Sequence, residues 1–265
     1  MSAGRVITAL VREPGPNFAD GITTAALGKP DFKKAVEQHR KYCSTLQNWG
    51  VTITILPADP AFPDGCFVED TAIVTENVTV ITNPGAAARQ GEQKRIAEIL
   101  DRDGAAKYIR PPGTLDGGDV MEVEGRFYIG LSDRTNEDGA RQLAAILEPA
   151  GYTAEIITLD SPVLHLKTGI TYAGRNTVIG IENYLRHPAF ARHEKITIPD
   201  NEAGAANCLH VNGNLLISAG FPATESLLRA AGFRPQTTPS SEFAKMDGAL
   251  TCLSLLCHTP LTEAA

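Results

Sequence analysis

The sequence predicts a closed, propeller-like α/β domain, and three observations carry that prediction. A two-stranded hairpin followed by a helix and a return strand recurs along the chain at intervals of roughly 40–50 residues. Its strands alternate apolar and polar residues with the period of two that a single buried face demands. No low-complexity segment and no Pro/Ser/Gly-rich linker longer than a turn separates the units. Small sheets of this kind bury their faces by stacking radially, with the helices outside. One domain spanning 1–265 is therefore expected.

RVITALVR, DFKKAVEQHRKYCSTLQNWG and VTITILP supply the strand, helix and strand of a first unit. TAIVTENVTVITN (71–83) alternates around a Glu-Asn turn, and GEQKRIAEILDR (91–102) reads as the helix after it. DVMEVEGRFYIG (119–130) turns at Glu-Gly and leads into TNEDGARQLAAILEPAG, with Thr135 as N-cap and Gly151 as stop, then the strand YTAEIITL. ITYAGRNTVIGI with ENYLRHPAFAR forms a further unit. NCLHVNGNLLIS (207–218) holds Asn-Gly, the strongest short hairpin signal, and TESLLRAAG (224–232) is its helix. About five units result. The chain then runs through DGALTCLSLL (247–256), an apolar strand with Cys252 inside it.

Composition narrows the function. The chain has 24 basic and 31 acidic residues, a net charge of −7, and no Lys/Arg cluster able to neutralise a run of phosphates, so nucleic acid is not an expected partner. Nothing approaches the roughly 18 to 20 consecutive apolar residues of a spanning helix, so no membrane is expected either. Five cysteines, none in a C-x-x-C pair, and no apolar segment after Met1 point to reduced thiols in the cytoplasm. Cys208 with His210 and Cys257 with His258 lack the partner pairs of a zinc site, and no Gly-rich phosphate loop occurs, so no metal or other cofactor is expected.

Polar residues interrupt the pattern at the unit boundaries, which a radial fold brings to a common centre. PDGCFVED (63–70) gathers Asp64, Glu69 and Asp70, a receptor for a planar cation or a solvated acidic loop. In TLDGGDV (114–120) two glycines separate Asp116 from Asp119. His165 in VLHLKTG (163–169) reads alone as a core histidine, and Arg89 and Arg134, where hairpins pass into helices, read alone as surface cations. Cys252 by itself reads as a small hydrophobe. Together these groups suit a zwitterionic amino acid that carries an extra cation, and the long polar loop 13–30 is placed to cover them.

LGKPDF, PDGCFVED, ITNPGA, TLDGGDV, IGLSDRTN, LHLKTG, IPDNEAGAANC and KMDGALTCLS follow one another along the chain. In that order and spacing they resemble the dimethylarginine dimethylaminohydrolases of the guanidino-group modifying enzyme superfamily, from about Arg5 to Leu256. The resemblance implies a five-bladed α/β propeller, or pentein. It implies Cys252 as nucleophile, His165 as general acid and base, and Asp116 as the carboxylate beside them. It further implies that Asp64 and Asp70 hold the guanidinium with Glu69 adjacent, and that Arg89 and Arg134 pair with the substrate carboxylate. Backbone carbonyls of Ile22 and Met246 would receive the ammonium.

The implied reaction converts methylated arginine to citrulline and an alkylamine through an S-alkylthiouronium, without a cofactor. Some members carry Glu where this chain has Asp116, and some carry Arg at Asn83. Arginine deiminases carry Asp where this chain has Lys167, which tilts against arginine as substrate. Another guanidine hydrolase of the superfamily is the nearest alternative, and a non-catalytic propeller is the alternative of a different class. Zinc on Cys252 and His165 would act as an inhibitor. A homodimer is left open.

Overall fold

The computed structural model describes residues 5–158 and 164–261. Chain order gives β1 (Thr8–Arg12), α1 (Phe32–Asn48), β2 (Thr52–Leu56), β3 (Ala72–Val74), β4 (Thr79–Ile81), α2 (Gln93–Leu100), β5 (Lys107–Tyr108), β6 (Val120–Val123), β7 (Arg126–Leu131), α3 (Glu137–Leu147) and β8 (Thr153–Thr158). It continues with β9 (Ile170–Gly174), β10 (Thr177–Gly180), α4 (Glu182–Leu185), β11 (Glu194–Thr197), β12 (Leu209–Val211), β13 (Asn214–Ser218), α5 (Pro222–Ala230), β14 (Pro235–Thr238), α6 (Ser241–Ala244) and β15 (Leu255–Cys257). Leu159, read as the end of a strand, and Val163 lie outside the described residues.

These strands form five three-stranded sheets, ordered β15-β1-β2, β3-β4-β5, β6-β7-β8, β9-β10-β11 and β12-β13-β14. In every sheet the inner pair is antiparallel and the outer strand joins it in parallel. A parallel neighbour requires a crossover, and the helix of each unit supplies it. Pairing of β15 with β1 builds one blade from the first and last strands and closes the circle. The inner strands meet around the axis, β15 against β3, β6 against β9 and β9 against β12. The result is a five-bladed α/β propeller.

Each blade packs its helix on its sheet. Leu143 and Leu147, one turn apart on α3, are fully buried against Phe127 and Ile129 of β7 and Val80 of β4. A leucine so buried stabilises by about 1.5–3 kcal/mol. Among the described residues no helix is long and apolar enough to cross a membrane.

The hairpin turns follow their sequence signals. Glu124-Gly125 (φ 51° and 85°) and Asn212-Gly213 (φ 50° and 81°) take the left-handed pair that matches strand twist. Arg175-Asn176 does the same without glycine, at φ 54° and 53°. There the strained turn is held from outside, by Glu124 Oε1 accepting the Asn176 N–H at 3.0 Å and by Arg175 stacking on Phe233.

Three expectations need correction. The N-cap of α3 is Asn136, whose Oδ1 accepts the Gly139 N–H at 2.9 Å. Thr135 is withdrawn from capping because its hydroxyl donates to Asp119. ENYLRHPAFAR yields only the single turn α4 and a 3₁₀ turn, Pro188–Phe190, because Pro188 has no N–H to continue a helix. Cys252 does not lie in a strand. It sits on a 3₁₀ turn, Thr251–Leu253, because the Asn207 side chain takes the Thr251 N–H and the ladder begins only where Leu255 meets Leu10.

One feature of the blades places the site. Every inner strand is entered through a 3₁₀ turn: Val68–Thr71, Gly117–Asp119, Leu166–Thr168, Asp200–Ala205 and Thr251–Leu253. Radial stacking gathers these turns at one end of the axis.

Candidate active site

The first turn brings Asp70, buried to 2% exposure, against the second, where Gly118 N–H donates to its Oδ1 at 2.8 Å. The second turn carries Asp116 and Asp119, both with no solvent exposure. Asp116 Oδ1 accepts the Gly85 N–H at 2.9 Å, which leaves Oδ2 directed at His165 Nε2, 3.1 Å away. Asp70 Oδ1 stands 3.8 Å from the same nitrogen. Asp119 accepts from Ser132, Thr135 and the Leu166 N–H, and so pins the backbone next to His165.

The two glycines of TLDGGDV serve close packing. A Cβ at Gly117 would lie 2.0 Å from the Glu69 carbonyl, and one at Gly118 would lie 2.6 Å from His165 Nδ1. Only glycine lets the three turns approach so closely.

Electrostatics follow from this crowding. Burial alone would lower the His165 pKa, but Asp70, the bond to Asp116 and the charge of Asp119 outweigh it and raise it to about 9. His165 is thus an imidazolium at neutral pH. Burial would raise Asp70, yet His165, Arg89 and the Gly118 N–H hold it down, at about 2. Burial, with Glu69 and Asp70 nearby, pushes the Cys252 thiol up to about 12. Burial raises Asp119 to about 6 despite its three donors.

Ile22, Asp64, Asp70, Arg89, Arg134, His165, Met246 and Cys252 line one pocket of about 50 Å³, with Phe67 and Leu164 as apolar wall. The remaining sequence-derived residues stand behind it. Asp116 backs His165, and Glu69 turns away to an ion pair with Lys167 and a 2.7 Å bond from the Thr251 hydroxyl. Glu69, Lys167 and Thr251 also line a second cavity of about 1100 Å³ along the axis, so they form the floor between the two spaces.

Arg89 is no surface cation. It is buried at 5% exposure, with Nε and Nη2 on Glu92, Nη2 also on the Phe67 carbonyl, and Nη1 2.5 Å from Asp70. Of its five N–H donors one on Nη1 is left over. Arg134 is half-buried, and among the described residues no side-chain partner fixes its guanidinium. Asp64 accepts the Ile22 N–H at 3.0 Å, and Arg134 and Arg89 partly offset the rise that burial causes in its pKa.

The loop after Asp20 lies along the pocket, with Ile22 and Thr24 in its wall. Asp247 accepts from the Thr24 N–H at 2.5 Å and its hydroxyl at 3.0 Å, while Thr23 donates to the Lys245 carbonyl at 2.9 Å. About 50 Å³ is far below the roughly 300 Å³ at the lower end of ligand pockets.

Asp70, Asp116 and His165 also bring three ligand atoms within 4.8 Å of one another, enough for a cation. Arg89 already supplies a positive charge there, and His165 supplies a second. Sequence reasoning missed Glu92, Phe67, Asp247 and Asn207. Asn207 carried a signal in its place at the boundary of the fifth unit, and Phe67 and Asp247 in lying within PDGCFVED and KMDGALTCLS; Glu92 carried none.

A thiol, an imidazole and buried carboxylates meet in one pocket of this five-bladed α/β propeller, and the site is that of a hydrolase. Within that class the chain belongs to the dimethylarginine dimethylaminohydrolase family. A family model described as N,N dimethylarginine dimethylhydrolase, eukaryotic, matches residues 28–183. The N(G),N(G)-dimethylarginine dimethylaminohydrolase of Pseudomonas aeruginosa is 42% identical over 248 residues, 93% of this chain and 97% of the relative. That of Streptomyces coelicolor is 39% identical over 251 residues, 93% of this chain and 95% of the relative. A mutant of the Pseudomonas aeruginosa enzyme, solved in complex with citrulline, superposes with a TM-score of 0.92 at 41% identity, covering 95% of this chain and 99% of that one.

Proposed function

We propose that the protein hydrolyses Nω-methylated arginine to citrulline and an alkylamine, with Cys252 as nucleophile. The observation that carries the reading is that Cys252 and an imidazolium, His165, face one pocket whose other walls bear carboxylates and arginines.

A guanidinium carbon is a poor electrophile because its charge is delocalised, and a thiol with a pKa near 12 is protonated at pH 7. The substrate answers both difficulties. Its cation beside Cys252 favours the thiolate, and Asp70 fixes its plane at the His165 end of the pocket. Arg134 and the last Arg89 donor take the α-carboxylate. Asp64, which the resemblance places on the guanidinium with Asp70, is reassigned to the ammonium, because it bonds the Ile22 N–H and so adds negative charge where the Ile22 and Met246 carbonyls receive that group.

As the substrate cation binds, the Cys252 thiol releases its proton to solvent. The thiolate attacks the guanidinium carbon, and protonated His165 gives its proton to the departing amine as the C–N bond breaks. The S-alkylthiouronium that remains is attacked by water, whose proton passes to neutral His165, and collapse expels the thiolate with citrulline. Holding the partners in reacting geometry supplies roughly 7–11 kcal/mol of barrier lowering, so the reaction as drawn calls for no cofactor.

Two features favour methylated arginine. Lys167 is engaged by Glu69, so no second carboxylate follows His165 to grip the unmethylated nitrogens, and Phe67 with Leu164 offers apolar surface to methyl groups. Five free thiols support a reducing, cytoplasmic setting. Product analysis with dimethylarginine, monomethylarginine and arginine tests the reading. Citrulline with dimethylamine or methylamine is the expected result, and faster ammonia release from arginine would overturn the preference.

A further inference from the structure

Four of the five turns that lead into the inner strands carry, or directly follow, groups assigned to the reaction; the fifth, Asp200–Ala205, leads to Asn207. Asn207 is 4% exposed and spends its whole carboxamide on the two turns beside it. Its Oδ1 accepts the Thr251 N–H at 3.0 Å, and its Nδ2 donates to the Thr251 hydroxyl at 2.9 Å and to the Lys167 carbonyl at 3.1 Å. An amide has two donors and one acceptor atom, and all are engaged. The partners decide its orientation, since an N–H at Thr251 needs an oxygen and a carbonyl at Lys167 needs a donor.

Each contact falls on the backbone next to a reacting group. Thr251 immediately precedes Cys252, and Lys167 follows His165 by two residues. The Thr251 hydroxyl, held by Asn207, passes its own proton to Glu69 Oε2 at 2.7 Å, and Glu69 Oε1 binds the Lys167 ammonium. This loop of bonds joins the turns of Cys252, His165 and Asp70 from beneath.

We infer that Asn207 is a positioning residue: with Thr251 it fixes the Cys252 turn against the His165 turn, so that thiol and imidazole keep one separation through both steps. The inference rests on Cys252 and His165 being the reacting pair. Asparagine is required because both donor and acceptor are used. Aspartate keeps the shape but loses two donors and sets a negative charge against the Lys167 carbonyl.

The test measures kcat and KM for dimethylarginine hydrolysis in Asn207→Asp, Thr251→Val and Thr251→Ser, together with thermal unfolding and with Cys252→Ser as reference. The expected result is a loss in kcat of about 100-fold in Asn207→Asp and Thr251→Val, with KM unchanged within about threefold, and recovery of most of the rate in Thr251→Ser, which restores the hydroxyl. Unchanged kcat in a folded Asn207→Asp would overturn the inference. So would a parallel loss of kcat, affinity and stability in which Thr251→Ser fares no better than Thr251→Val. If Asn207→Asp does not fold, Thr251→Val decides alone, and unchanged kcat there overturns it. Turnover retained in Cys252→Ser would overturn the underlying reading with it, whereas an inactive Cys252→Ser beside a fully active Asn207→Asp would remove only the role of Asn207.

Discussion

His165 and Asp116 meet at 3.1 Å, the imidazole Nε2 against a carboxylate with no solvent exposure. Together with the charge of Asp70, the larger influence, the pair explains how a histidine can remain a cation in a buried pocket, and it sets the acid of the proposed reaction.

Asp116→Asn keeps the shape of that contact but removes its charge. Because Asp116 helps raise the His165 pKa to about 9, the variant holds its imidazolium less firmly and the alkaline fall in kcat/KM moves to lower pH. A loss of about 100-fold at pH 8 accompanies the shift. A pH profile with the wild-type alkaline limb would contradict this role.

The same shift links His165 to stability. Its folded pKa, about 9, lies above the ordinary value of 6.5, so the contribution is fully present below pH 6.5 and is lost as the pH rises through about 9. Its ceiling is about 3 kcal/mol. Asp70 is depressed in part by the same contact, and the two shifts are not added. Urea unfolding of wild type and His165→Asn between pH 6 and 10 checks the sign, with the slope expected in the wild type and absent from the variant.

Gly118→Ala tests the packing of the turns. Its Cβ would fall 2.6 Å from His165 Nδ1, and because the three nearest atoms all belong to the His165 ring, it is the ring that is displaced. Activity falls by about 100-fold in a folded protein, as a misplacement of about 1 Å can cause. Activity kept within threefold would show that His165 has room to spare.

Thiol chemistry reports on Cys252 without substrate. With a pKa near 12 the free enzyme is alkylated slowly at pH 7 by a neutral reagent, more slowly than free cysteine. A cationic alkylating agent of similar intrinsic reactivity is expected to be faster, because its charge draws out the thiolate beside Asp70. A neutral reagent reaching its full rate below pH 8 would contradict a protonated resting thiol.

The blades were legible in the sequence because hairpins announce themselves through alternation and left-handed turns, as at Asn212-Gly213. The reacting groups were legible chiefly through resemblance to a family. Periodicity alone read Cys252 as part of a strand, and alternation cannot reveal that Asn207, 44 residues of sequence away from Thr251, captures its N–H and delays the ladder to Leu255. Arg89 misled for a related reason. A cation between a hairpin and a helix is usually solvated, and only folding brings Glu92, Asp70 and the Phe67 carbonyl around it. Long-range polar contacts leave no period in the chain.

The central claim is that Cys252 bonds to the guanidinium carbon and stays bonded to it once the methylated nitrogen has left. Mass spectrometry of rapidly quenched turnover tests it most directly. The account predicts an adduct on the peptide containing Cys252, absent from Cys252→Ser, with one and the same mass whether asymmetric dimethylarginine or monomethylarginine is the substrate. An adduct that keeps the methyl groups, or one carried by another cysteine, would contradict it.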